Sequence, residues 1–130
     1  DALSASAEHV HAFAAELKGA GGDERNASRV VAFALVNWAD AGTAPASLRV
    51  ALPAGRKCTR GASFVLSSTN STSTDAAVLA LGIQLNGVPL KLAPGGALPA
   101  SLEPHWTACD ADGAVALTLE PLSAAFVVVE

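Results

Sequence analysis

The stretch Ile83-Gln84-Leu85-Asn86-Gly87-Val88-Pro89-Leu90-Lys91-Leu92 decides the fold class, because two alternating apolar runs meet there at an Asn-Gly pair. Asn-Gly is the strongest short-range signal for a two-residue β-hairpin, since a type I′ turn needs positive φ at both central positions. With Asn86 and Gly87 in the turn, Leu85 faces Val88, Gln84 faces Pro89, Ile83 faces Leu90 and Leu81 faces Leu92. The aliphatic side chains then share one face, while Gly82, Gln84, Pro89 and Lys91 share the other. This predicts a ribbon with one buried and one wet side. Gln84 and Pro89 form a non-hydrogen-bonded pair in this register, so the proline nitrogen points away from its partner and 88–92 is predicted to be an edge strand.

The flanking segments repeat the pattern of short apolar runs between turn residues. Residues 29–38 form a continuous run rich in β-branched and aromatic side chains, predicted as a central strand buried on both sides. Residues 47–52 alternate before Pro53, 62–67 read as another strand, and 77–85 lead into the hairpin. A short extended piece is expected over 102–106, then strands over 114–119 and 124–129 joined as a final hairpin through Glu120-Pro121-Leu122-Ser123. The Ser/Thr/Asn tract 67–74 reads as an exposed loop and 93–99 as a Gly/Pro-rich crossing. Leu3, Ala7, Val10, Ala14 and Leu17 fall at helical spacing with Ser4 or Ser6 as a cap, so periodicity alone leans towards a helix, although 9–17 also alternates. Roughly eight strands with turn signals every ten or so residues predict an all-β, antiparallel β-sandwich. It is a single domain over 9–130, with 1–8 as a linker or the end of a preceding domain.

Composition narrows the function classes. A chain of 130 residues with 51% hydrophobic content suits one domain with an ample core, although aromatics are only 5% and Tyr and Met are absent. A net charge of −4 gives no footprint for nucleic acid. No apolar run approaches the roughly 20 residues that span a bilayer, and 1–20 lacks the basic start and leucine-rich middle of a signal peptide. Beginning at Asp1 without an initiator Met, the chain reads as a mature piece of a longer protein. Cys58 and Cys109 are an even pair among turn residues, which leaves a disulfide or two free thiols open; neither has the neighbours of a metal knuckle or a redox pair. Asn26-Ala27-Ser28 and Asn70-Ser71-Thr72 are N-glycosylation acceptors in polar inter-strand segments. Together these features predict a secreted or endomembrane glycoprotein, extracellular or lysosome/vacuole-like in setting.

Residues 83–90, followed by Gly96-Ala97-Leu98-Pro99 and closing on Leu119-Glu120-Pro121-Leu122-Ser123-Ala124-Ala125-Phe126-Val127-Val128-Val129, resemble the C-terminal β-sandwich domain of heparanase-like glycosidases, glycoside hydrolase family 79. Phe33-Ala34-Leu35-Val36-Asn37 is similar to that family's strand ending in Asn, and 47–53 resembles the strand that follows. The resemblance covers roughly 9–129 and implies a strand, not a helix, over 9–17. It also implies a missing half: in the family two glutamates, acid/base and nucleophile, cleave glucuronide bonds from a (β/α)8 barrel, and the sandwich packs against that barrel. Glu8, Glu16, Glu24, Glu103, Glu120 and Glu130 stand in no matching Asn-Glu context, so no catalytic residue carries over. Animal heparanases tie an early strand to the C-terminus by a disulfide, whereas Cys58 and Cys109 occupy other places.

Other chemistries have thinner signals. His9 and His11 share a strand face and His105 supplies a third imidazole, but the spacing is common and no metal or other cofactor is predicted. Asp110-Ala111-Asp112-Gly113 opens like a calcium loop yet lacks the later oxygen ligands and the bidentate Glu, so a hairpin turn is predicted. No serine lies in a Gly-x-Ser-x-Gly setting. Trp38 and Trp106 are the candidate anchors of an interface, with sugar stacking as their other use. The expected function is a non-catalytic accessory domain of a heparanase-like endo-β-glucuronidase, partnered by a catalytic barrel or another protein chain. The alternative is an independent secreted or cell-surface module that binds partners or acidic glycans.

Overall fold

In the computed structural model, which describes residues 3–5, 8–17, 30–54, 56–70, 72–97, 99 and 102–130, the chain forms ten strands and one short helix. They are β1 (Leu3–Ala5), β2 (Val10–Leu17), β3 (Val30–Asn37), β4 (Ala46–Ala51), β5 (Arg60–Ser68), α1 (Thr74–Val78), β6 (Ile83–Leu85), β7 (Val88–Pro89), β8 (His105–Ala108), β9 (Ala114–Leu119) and β10 (Ser123–Val129). Every pairing is antiparallel. A three-stranded sheet in the order β1-β4-β9 lies against a seven-stranded sheet in the order β2-β3-β10-β5-β6-β7, with β8 also beside β5. The protein is an all-β sandwich.

The core follows from period-2 patterning. Val31, Phe33 and Leu35 of β3 and Ala125, Val127 and Val129 of β10 alternate inward and meet Leu48 and Val50 of β4 and Val115 and Leu119 of β9. Each fully buried aliphatic of this set stabilises the fold by about 1.5–3 kcal/mol relative to exposure. Gly61 on β5 has no room for more: a Cβ there would come 2.7 Å from Val115 Cγ2. The larger sheet thereby approaches the smaller one closely at this point.

Several expectations change. The Asn-Gly hairpin forms in the register read from the sequence, with Gln84 opposite Pro89 and Leu85 opposite Val88, and with φ of 49° at Asn86 and 80° at Gly87. Its ribbon is not a core element, however: Leu85 is buried, whereas Leu81, Ile83, Val88 and Leu92 are exposed. β7 is the last strand of its sheet, as Pro89 predicts, and β10, held between β3 and β5, is the strand the sheet is built around. β3 is not buried on both sides but alternates, because only one of its faces meets the smaller sheet.

The stretch 77–85 is not one strand, since Ser73 Oγ accepts a hydrogen bond from Ala76 N and caps α1 out of the polar tract. β9 and β10 are not a hairpin either: the chain crosses between sheets at 120–122, where Leu122 takes φ of 55°. Within 1–8, read as a linker or the end of a preceding domain, Leu3–Ala5 pairs with β4 as β1.

Candidate functional site

The face of the larger sheet turned away from the core is built by the other half of the same alternation. Cross-strand register places His11, Val36, Ala124 and Leu66 in one row, Phe13, Ala34, Phe126 and Phe64 in the next, and Ala15, Ala32, Val128, Ala62 and Trp106 in a third. No Asp, Glu, Lys or Arg stands in these rows. Charge begins only at the fourth, where Arg60 Nε donates to Glu130 at 3.2 Å. A sheet face of this breadth on a soluble domain usually carries polar residues.

Both tryptophans stand on this face. Trp38, just past the end of β3, is 57% exposed, and the rings of His9 and His11 lie 6.0 and 5.5 Å from it. Trp106 on β8 is 49% exposed and packs under the Arg60 guanidinium at 4.2 Å. Phe126 in the middle is 51% exposed, and Phe13 on β2 is 67% exposed. Beside Trp38 the face is hollowed by about 410 Å³ between Val36, Leu66, Val78, Ile83 and Ala124. A second apolar hollow of about 550 Å³ opens between the hairpin residues Leu85, Val88 and Leu90 and the segment carrying Pro99, Leu102 and Pro104.

The remaining candidates are dispersed. His9 and His11 meet at Trp38, but His105 lies on β8, with β3, β10 and β5 between it and β2. No group of three or more His, Cys, Asp or Glu able to hold a metal occurs among the described residues. Glu16 pairs with Arg56 at 3.2 Å and Glu130 with Arg60, on different parts of the sheet. Asn70 is exposed and its Oδ1 accepts bonds from the amide and hydroxyl of Thr72. Asn26 and Glu24 lie outside the described residues. Cys58 and Cys109 form a disulfide, Cα to Cα 5.9 Å, between the approach to β5 and the end of β8.

The acidic loop after β8 is a turn, as expected. Asp110 Oδ1 accepts the amides of Asp112 and Ala114, Gly113 takes φ of 76°, and Arg49 Nη2 reaches both Asp110 and Asp112. An arginine therefore supplies the positive charge there. The Ala114 amide, then Arg49, hold the Asp110 carboxyl below its ordinary value of 3.8. Folding thus favours the ionised form: its stabilisation is present above the ordinary value and is lost as pH falls through the lower folded one. Wild type and Asp110→Asn should accordingly converge in melting temperature on acidification, which a pH series of thermal melts reads directly.

Asn86 was legible only as a turn residue. Its side chain also accepts from Val65 N at 2.8 Å and donates to Ser63 O and Glu103 O, which bridges the gap where β5 exchanges β8 for β6 as its neighbour. The sequence signal for that role is absent, because any Asn in a type I′ turn reads alike. No protein-family model and no curated protein matches the chain.

Proposed function

We propose that this chain is a non-catalytic β-sandwich accessory module of a heparanase-like endo-β-glucuronidase, and that its broad sheet face packs against a catalytic barrel. The observation that carries the reading is the apolar face on which Phe13, Trp38, Phe126 and Trp106 are exposed, with the Arg60 guanidinium over Trp106 at its border. A contiguous apolar face of this kind on a soluble domain marks a docking surface, and aromatic rings dominate interface energetics. The resemblance over 83–90 and 119–129 supplies the identity of the partner. Hydrolysis is assigned to the partner because no glutamate of this chain stands in the Asn-Glu context of the family's catalytic pair.

The purified chain should bind an apolar fluorescent dye and leave aryl glucuronides and heparan-type chains intact. Trp38→Ser with Trp106→Ser should cut dye binding several-fold at a nearly unchanged melting temperature, because both residues are about half exposed. A dye-silent wild type, or glucuronide turnover that co-purifies with this chain from different hosts, would sink the proposal. A second reading, acidic-glycan binding by this chain itself, is favoured by Trp38 between two imidazoles and Trp106 beneath Arg60. Quenching of tryptophan fluorescence by an acidic oligosaccharide, lost in the same variants, would select it.

A further inference from the structure

We propose that β2 is a pairing edge for a second copy of this chain, and that two copies join antiparallel about Phe13 into one continuous sheet. The phase of the ladder decides which backbone groups turn outward. Trp38 N donates to His9 O at 3.2 Å, which makes 9 and 38 a hydrogen-bonded pair. Such pairs alternate along an antiparallel ladder. The backbone groups of His11, Phe13 and Ala15 therefore turn toward β3, and those of Val10, Ala12 and Ala14 turn outward. No described strand pairs with β2 on that side.

The opposite edge of the same sheet is blunted. Leu90 N donates to Ile83 O at 2.9 Å, so by the same alternation Pro89 is the outward residue of β7, and it has no N–H to offer. Over β2, Val-His-Ala-Phe-Ala-Ala-Glu-Leu, neither Pro, Gly nor Lys interrupts the edge. A β2–β2 contact about a two-fold axis uses the same edge of both copies, so pairing through it stops at two copies instead of propagating into a fibre.

Register and charge select the geometry. With the two-fold axis at Phe13, Ala12 of each copy meets Ala14 of the other and exchanges both backbone bonds. Phe13 then faces its own symmetry mate in a close, non-hydrogen-bonded pair, with Cα atoms about 4.5 Å apart. Phe13 is the aromatic that the isolated fold leaves most exposed, at 67%, and aromatic cross-strand pairs are stabilising. Moving the axis to Ala12 would set Glu8 directly against Glu16 of the other copy, so that two carboxylates would share the one guanidinium of Arg56 that Glu16 already engages. With the axis at Phe13, Glu16 faces Val10, and the two Glu16 positions are about 20 Å apart along the ladder. The apolar faces of the two sheets become continuous across the axis.

Light scattering over a concentration series should show the mass rising from 13.0 kDa toward twice that value. Ala14→Pro should keep the protein monomeric, since the amide it removes points outward and makes no bond to β3. Under mild oxidation Phe13→Cys should form a reducible dimer in about tenfold greater yield than His11→Cys or Ala15→Cys, because only position 13 meets itself within disulfide reach. If Ala14→Pro fails to fold, this cross-linking pattern still decides the matter. A monomer at every concentration, or equal cross-linking at all three positions, overturns the proposal. So does a dimer that survives Ala14→Pro but is lost in the Trp38 and Trp106 variants, a result that would assign association to the broad face and leave the docking reading intact.

Discussion

Opening the Cys58–Cys109 bond should lower the unfolding free energy by about 4 kcal/mol, the chain-entropy value for a closed loop of this size. The cysteines are 51 residues apart, and between them run β5, α1, the hairpin and β8. In the unfolded chain the bond removes the conformations in which the two ends of that region separate. The native fold already holds those ends together: Cys109 N donates to Thr59 O at 3.3 Å, and Thr59 N to Glu130 O at 2.7 Å. Both cysteines are half-buried against the core, so the alanine pair is a better probe than serine, whose hydroxyl would need a partner there. Urea midpoints of the oxidised protein, the reduced protein and the Cys58→Ala/Cys109→Ala variant measure the effect. A loss below about 1 kcal/mol would mean that the unfolded chain is already constrained without the bond.

The size of that effect bears on where the chain works. A small domain with alanine-rich strands gains much from one cross-link, and such a bond persists only in an oxidising compartment. The bond is compatible with the secreted or endomembrane setting expected from the cysteine pair and the sequons at Asn26 and Asn70 taken together. Intact mass before and after reduction, on protein from an oxidising host, reads the bond and any attached glycan in one measurement.

What was legible in the sequence was local, and what was not depended on which sheet a strand joins. The Asn86-Gly87 turn, its register and the edge position of Pro89 follow from backbone sterics alone, which no tertiary context changes. β4 was clear because strict alternation of polar and apolar residues has one reading, whereas β9 and β10 were read from short apolar runs bounded by turn residues. β3 misled because its outward residues, Ala32, Ala34 and Val36, are apolar too, and a continuous run reads as burial on both faces. The same feature builds the proposed docking face, so the error and the candidate site have one cause: apolar residues on the side of the sheet turned away from the core. The crossing at 120–122 was hidden because a four-residue connection serves a hairpin or a change of sheet equally well. Trp38 and Trp106 were chosen as anchors on residue type, and the register brings both to one face.

Asn37→Ala should cost about 2–4 kcal/mol, more than a surface change at the same strand end, because it strands two polar partners at once. Asn37 closes β3 at 2% exposure, among the largest fully buried side chains of the core. Its Nδ2 donates to Leu119 O at 2.9 Å and its Oδ1 accepts from Ala39 N at 3.1 Å. Leu119 ends β9 in the smaller sheet, immediately before the chain crosses to β10 in the larger one. One amide side chain thus ties the two sheets where the chain passes between them. Asn37→Asp should be worse than alanine, since a carboxylate cannot donate to the Leu119 carbonyl and would be buried without a cation. Asn37→Leu restores volume without either bond, so its cost, set against alanine, separates packing from hydrogen bonding. Urea midpoints rank the three variants, and hydrogen exchange at the Ala39 amide reports the local loss. Equal stabilities for wild type and Asn37→Ala would place the inter-sheet tie elsewhere, leaving the aliphatic core as the sole link between the sheets.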